Sequence, residues 1–252
     1  MRQAIIQVKN LVKLYDRYEA VKDISFDVLD GEIFGLLGPN GAGKSTTLEI
    51  METLREKTSG EINIAGFSID ENPDAIKSII GIQLQTSGFY PGLTLLEQID
   101  LFNGLYGANA DAMNLLSLVQ LGDKAKSPYK SLSGGQKQRF AIATTLIHDP
   151  KIIFLDEPST GLDPQARRNL WDLIQNIRKK GTTVVLTTHY MEEAEYLCDR
   201  VAIMDQGRIM ALDTPEKLID DLLKKGFERK KELKPANLED VFINLTGHGF
   251  DN

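Results

Sequence analysis

Cysteine, tryptophan and histidine are nearly missing from this chain, with one Cys, one Trp and three His in 252 residues. The single thiol, Cys198, excludes an internal disulfide and a Cys-rich zinc site, and it fits a reducing compartment. Basic charge is also short: 29 Lys and Arg against 36 Asp and Glu leave a net charge of −7. That balance argues against a protein that reads a nucleic-acid backbone, so no nucleic-acid partner is expected and any polyanion must be held locally. No run approaches the roughly 18 apolar residues of a membrane span. The stretch Met1-Arg2-Gln3-Ala4-Ile5-Ile6-Gln7-Val8-Lys9 is broken by polar residues too soon for a signal peptide. Any link to a membrane is therefore expected to run through a partner. Internal repeats and low-complexity tracts are lacking as well. What the chain does have is 42% hydrophobic residues, enough for a sizeable core in one large domain or two small ones.

Short β-branched runs alternate with helical patterns. Ile33–Leu37, Lys151–Leu155 and Thr182–Leu186 are near-continuous apolar runs, the pattern of parallel strands buried on both faces. Helix-like stretches follow them at Lys44–Leu54, Pro164–Lys179 and Met191–Leu197. The alternation predicts an α/β fold with a mostly parallel sheet. Ile5–Val8, Ile24–Leu29 and Glu61–Ala65 read instead as short strands between turn residues, a small N-terminal antiparallel β subdomain. Leu95–Tyr106, Ala112–Val119 and Gly134–Ile147 read as helices with no strand between them, which predicts a helical subdomain inserted at about residues 86–150. After Ala211 the composition turns charged, with Lys224-Lys225 and Glu228–Glu232 between two amphipathic pieces, Pro215–Leu223 and Leu238–Leu245. Residues 216–252 are expected to form a charged, solvated linker and a helical tail, leaving 1–215 as the main domain.

Gly38-Pro39-Asn40-Gly41-Ala42-Gly43-Lys44-Ser45 fits G-x-x-x-x-G-K-[ST] and lies between a buried-strand pattern and a helix, with Thr46 continuing into that helix. The glycines let backbone N–H groups turn inward on phosphate oxygens, and the helix start adds its positive dipole end. Lys44 would then neutralise β- and γ-phosphates while Ser45 ligates Mg²⁺. Asp156 ends the strand Lys151–Leu155, and ligands of open parallel sheets bind at the carboxyl ends of strands, so Asp156 is expected to face this loop and hold the metal. Glu157 follows and is expected to point elsewhere, because side chains alternate along a strand; a carboxylate there can take a proton from an attacking water. Alone, an Asp-Glu pair would read as a solvated strand end.

Leu132-Ser133-Gly134-Gly135-Gln136 opens the helix that runs to Ile147, with Ser133 placed as its N-cap. The two glycines leave bare N–H groups that can approach an anion closely, a second phosphate-seeking helix start. A pentapeptide of this kind is expected by chance about once in several thousand chains of this size. Here the sequence resembles the ATP-binding cassette (ABC) ATPases, the motor subunits of ABC transporters, over roughly residues 4–215. A more specific likeness to the ATP-binding subunits of daunorubicin-resistance exporters appears in Leu186–Glu195 and in the tail Leu238-Glu239-Asp240-Val241-Phe242.

The resemblance implies a P-loop NTPase core that binds ATP and Mg²⁺. It implies adenine stacking on Tyr15, a metal- and γ-phosphate-sensing glutamine at Gln85, the signature at Ser133, Gly134, Gly135 and Gln136, a D-loop at Ser159–Asp163 and a switch histidine at His189. Leu84 departs from the proline or phenylalanine often found before that glutamine. Catalysis would rest on Glu157, His189 and Gln85, with Ser45, Gln85 and Asp156 around the metal. Two cassettes, a second copy or a homologous subunit, would meet head to tail with ATP between one chain's phosphate loop and the other's signature. Integral membrane subunits would be pulled by the cycle, placing the chain in the cytoplasm on the inner face of the membrane.

Other residues read more plainly. His148 reads as a helix C-terminal residue facing the dipole, His248 as idle and Cys198 as buried packing. Phe89, Tyr90 and Leu93, just after Gln85, form an oddly apolar loop that reads either as a docking surface or as side chains folded back into the helical subdomain. A chromosome-organising or repair ATPase would need coiled-coil arms between loop and signature, a translation factor would carry two cassettes, and a kinase has no use for the signature. A soluble ABC-type ATPase of an assembly or regulatory process stays open as the alternative.

Overall fold

The parallel sheet follows from the three apolar runs. In the computed structural model, which describes residues 3–85 and 88–227, β3 (Ile33–Leu37), β7 (Ile152–Asp156) and β8 (Thr183–Thr188) stand side by side in the order β3-β8-β7. β6 (Ile80–Gln83) closes one edge, and β9 (Arg200–Asp205) with β10 (Arg208–Asp213) the other. All neighbours are parallel except the β9–β10 hairpin. Both faces are covered, which is why the runs are continuous rather than alternating. Ile33, Leu37, Ile153 and Leu155 enter one core, whereas Phe34, Leu36, Ile152 and Phe154 enter the other.

The second core lies between this sheet and an antiparallel one, β2 (Tyr18–Leu29), β1 (Ala4–Tyr15), β4 (Ser59–Ile64) and β5 (Phe67–Ser68) in spatial order. Phe26 of β2 stacks on Phe34 of β3 with centroids 5.4 Å apart. Against the expected short strands, β1 and β2 each run 12 residues. The polar Lys9-Asn10 pair looks like an end to β1, but Asn10 takes φ 48° where the register shifts between Val8 and Leu11, and its amide donates to Asp23 Oδ1 at 2.8 Å. The strand passes through this irregularity and delivers Tyr15 to the far end.

Between β6 and β7 lie α3 (Leu95–Tyr106), α4 (Ala112–Leu118) and α5 (Gly134–Thr145). A capping box of Thr94 and Glu97 starts α3, and Gly107 in the left-handed region ends it. α5 stops two residues before the expected Ile147. His148 lies beyond the end of α5; its Nε2 lies 2.9 Å from the Ile80 carbonyl and its ring stacks on Tyr106, the last residue of α3, at 4.6 Å. The sequence pattern also leaves out α2 (Pro73–Lys77), β6, β9 and β10. Gly81 interrupts the apolar run of β6 because a Cβ there would lie 2.3 Å from the Thr145 carbonyl of α5.

The remaining helices follow the pattern: α1 (Lys44–Met51), α6 (Pro164–Lys179) and α7 (Met191–Leu197). Cys198 is buried behind α7, and burial holds its thiol well above the usual cysteine pKa. These elements belong to one compact unit that ends at Leu218; α8 (Pro215–Lys224) carries the chain into a second unit from Ile219. The Glu228–Glu232 charge run, the Leu238–Leu245 piece and His248 lie outside the described residues. No described helix is long and apolar enough to cross a membrane.

Candidate active site

The order β3-β8-β7 puts three loops at one sheet edge: the phosphate loop after β3, His189 after β8 and Glu157 after β7. A cleft of about 410 Å³ opens there, lined by Tyr15, Asn40, Gly41, Gly43, Lys44, Ser45, Thr46, Gln85 and Glu157. Its size suits a small-molecule site. A larger groove, about 600 Å³, lies at the opposite end of the strands and is lined by Gln3, Asp30, Asp149 and Lys180 among others, none of them a motif residue.

The loop's shape is enforced by its neighbours. A Cβ on Gly38 would meet the Met204 carbonyl at 2.2 Å, and Gly43, at φ 98°, would place one 2.6 Å from the Ala20 carbonyl. These two glycines are therefore demanded by backbone packed behind the loop as well as by any ligand in front. Pro39, between them, gives its carbonyl to the lysine. Ala42 is buried under the loop. Lys44, 4% exposed, donates from Nζ to the carbonyls of Gly38 (2.9 Å) and Pro39 (3.0 Å).

Asp156 faces the loop. The Ser45 hydroxyl donates to its Oδ1 at 3.1 Å and the buried Thr187 hydroxyl to the same oxygen at 2.5 Å. Thr187 also accepts the Glu157 N–H at 3.0 Å, so one hydroxyl ties the Asp156 carboxylate to the backbone of Glu157. The sequence marks Thr187 only as a strand residue. Glu157 diverges from Asp156 for a different reason than strand alternation: β7 ends at Asp156, and Glu157 turns off it at φ 46°. Left-handed geometry in a non-glycine residue costs on the order of 1–3 kcal/mol and is found where a surrounding site holds it. Glu157 Oε1 lies 3.7 Å from Lys44 Nζ, its Oε2 lies 3.2 Å from His189 Nδ1, and Thr160 donates to Oε2 at 3.2 Å.

Tyr15 is half-buried at the cleft mouth, with Lys13 Nζ 5.0 Å and the Arg55 guanidinium 5.3 Å from its ring. Tyr18, 58% exposed, pairs with it across the hairpin and lines the same cleft; its only sequence signal is a second aromatic three residues on. Among the described residues there is no cluster of three His, Cys, Asp or Glu that could hold a metal. A cation at the Ser45–Asp156 pair would draw on two hard oxygen donors and complete its shell from phosphate and water, which is the habit of Mg²⁺.

A family model described as ABC transporter matches residues 21–160. The chain belongs to the ABC transporter family. It is 40% identical to the linearmycin resistance ATP-binding protein LnrL of Bacillus subtilis (strain 168), covering 95% of this chain and 78% of that protein. Identity to the Nod factor export ATP-binding protein I of Cupriavidus metallidurans is 37%, over 97% of this chain and 98% of that one. The solved cassette MJ1267 in its ADP conformation shares the fold at TM-score 0.79 and 23% identity, covering 88% and 95% of the two chains. The dimeric post-hydrolysis structure of the cassette MJ0796 with ADP and Pi superposes at TM-score 0.74 and 28% identity, covering 83% and 98%. The chain is thus an ATP-binding ATPase subunit of this transporter family.

Ser133, Gly134, Gly135 and Gln136 stand apart from the cleft, since none of them lines it. Ser133 caps α5, and the capping box turns Gln136 back on it: Gln136 Oε1 accepts the Ser133 N–H at 2.9 Å. Ser133 and Gly134 are exposed, with the helix N-terminus open to solvent. Phe89 belongs to the core of the helical segment, its ring 4.8 Å from Tyr129 and 5.1 Å from Phe140. Tyr90 remains 60% exposed while its N–H donates to the buried Gln98 at 3.1 Å.

Proposed function

We propose that this chain is the ATP-hydrolysing motor subunit of an exporter, working as a head-to-tail dimer on the cytoplasmic face of separate membrane subunits. The observation that carries the reading is Glu157, held in the phosphate-loop cleft between Lys44 and His189. The names of the relatives, linearmycin resistance and Nod factor export, support export as the direction.

In this reading the backbone N–H groups of Asn40, Gly41 and Gly43 and the start of α1 cradle the phosphates, the Asn40 and Thr46 side chains and Tyr15 complete the nucleotide contacts, and Lys44 leaves the Gly38 and Pro39 carbonyls for phosphate oxygens. Ser45 and Asp156 would hold Mg²⁺ with Gln85 beside it. The ion supplies charge neutralisation on the phosphates when bound. Glu157 accepts a proton from the attacking water, and His189 donates a hydrogen bond to the γ-phosphate. One helix N-terminus and one lysine leave part of the triphosphate charge uncompensated. The N-terminal end of α5 in a second copy, exposed at Ser133 and Gly134, would supply the rest, which is how ATP would join two subunits and hydrolysis release them. Tyr90, rather than Phe89, is the aromatic available to a membrane partner.

The test separates two roles. Lys44→Ala should abolish tight ATP binding, whereas Glu157→Gln should retain binding and lose most turnover, because an amide cannot take the proton. Equal loss of nucleotide binding in both variants would sink the assignment.

A further inference from the structure

His189 has no aligned hydrogen bond at Nδ1, although that nitrogen is buried and 3.2 Å from Glu157 Oε2. Its ring is held by packing instead: the Tyr190 ring lies 4.1 Å away at an angle of 38°. Tyr190 is fixed in turn. Its N–H donates to the Thr188 hydroxyl at 3.0 Å, and its side chain is not used to cap α7. Over its ring sits the Arg167 guanidinium of α6, 4.5 Å from the centroid. Arg167 makes no salt bridge among the described residues and its Nε is buried without a hydrogen-bond partner, so the tyrosine face is the group that receives its charge.

One turn further along α6, the Trp171 indole donates to Glu193 Oε1 on α7 at 2.9 Å. The pair is buried, with Trp171 6% and Glu193 0% exposed. Beyond it Tyr196 donates to Asp172, and Arg178 pairs with Asp199 at 2.9 Å. α6 is capped by Asp163, at the end of the loop that follows Glu157; α7 is preceded by Tyr190, the residue after His189. The strapped helix pair therefore joins the loops that follow the two groups flanking the reaction.

We propose that Tyr190 is a positioning residue: gripped by Arg167 of α6, with Trp171–Glu193 locking the two helices, it sets the His189 ring against Glu157. The inference rests on the reading of His189 as a γ-phosphate contact. Small displacements of a reacting group lower rate far more than affinity, since ATP is bound mainly by the phosphate loop. Tyr190→Ala in the full chain should therefore lower kcat for ATP hydrolysis about tenfold while KM and melting temperature stay close to wild type, and Tyr190→Phe, which keeps the ring, should restore the rate. In a His189→Ala background Tyr190→Ala should remove nothing more, because it acts through that ring. Arg167→Met is the second variant should Tyr190→Ala not fold, with a fall in kcat expected at unchanged KM. A low turnover in His189→Ala together with wild-type turnover in Tyr190→Ala overturns the positioning role alone. Undiminished turnover in His189→Ala overturns the role of His189 and the positioning with it.

Discussion

The hydroxyl of Ser45 donates to Asp156 Oδ1 across 3.1 Å, although 111 residues separate the two in the chain. The contact exists because β8 alone stands between β3 and β7, so the helix after β3 starts over the end of β7. The charge of Asp156 reaches further than its hydrogen bonds. It contributes, after burial and ahead of Glu49, to holding the Glu52 carboxyl at about 8.

Glu52 yields a prediction about stability. It is 1% exposed at the end of α1, and its Oε1 has no hydrogen-bond partner. The unfolded chain releases this proton near pH 4.5, whereas the folded chain keeps it to about pH 8. Between those values the folded state binds more protons, so stability falls as pH rises through the window and levels off above it. Glu52→Gln mimics the protonated form and should remove the fall, gaining on the order of 3–5 kcal/mol over wild type by pH 8.5 and little at pH 5. Urea unfolding across that range checks this; parallel pH profiles for the two proteins would refute it.

Assembly is the second case. With Glu157→Gln, ATP should stay bound and hold two copies together, the start of α5 exposed at Ser133 and Gly134 of each facing the other's cleft. Light scattering should report a mass near twice 28.1 kDa with ATP and near 28.1 kDa without nucleotide. A single-copy mass under both conditions would remove the sandwich for the isolated chain.

Recognition of the base is the third. Tyr15 offers a π-face rather than hydrogen-bonding edges, so Tyr15→Ala should weaken ATP binding by about 1–3 kcal/mol while preference over GTP stays slight. Titration calorimetry with both nucleotides reads the two effects. A variant that gained strongly for GTP would contradict stacking.

The loop after Gln85 supplies the fourth. Phe89 packs on Phe102, Tyr129 and Phe140, so Phe89→Ser should destabilise the isolated chain by about 3–5 kcal/mol. Tyr90 is exposed, and Tyr90→Ser should leave melting within about 0.5 kcal/mol of wild type while weakening attachment to a membrane partner. Thermal melting of both separates them; equal destabilisation would mean that Tyr90 also belongs to the core.

How much of this was readable in advance depended on the range of the interactions. Ile33–Leu37, Leu95–Tyr106, Pro164–Lys179 and Met191–Leu197 match the observed elements end to end, because their caps and periodicity are local. The Ser133 cap is equally local, whereas the loop of residues 38–45, legible as a motif, owes Gly38 and Gly43 also to the Met204 and Ala20 carbonyls packed behind it. β6, with its glycine, and the long bulged β1 were not readable, since the Thr145 carbonyl and the Asp23 side chain that explain them belong to other elements, α5 and β2.

The sequence by itself determined the inventory: a glycine-rich loop followed by Lys44 and Ser45, the Asp156-Glu157 pair after one apolar run and His189 after another. Only the tertiary structure decided their pairing. Strand order set Glu157 between Lys44 and His189 and made Thr187 the common partner of the Asp156 carboxylate and the Glu157 N–H. Packing turned Phe89 inward, left Tyr90 outside, and buried Glu52 with its proton. The physical reason is that composition and local spacing specify what a side chain can do. What it meets, and how much water remains around it, follows from residues on other elements, tens to more than a hundred positions away.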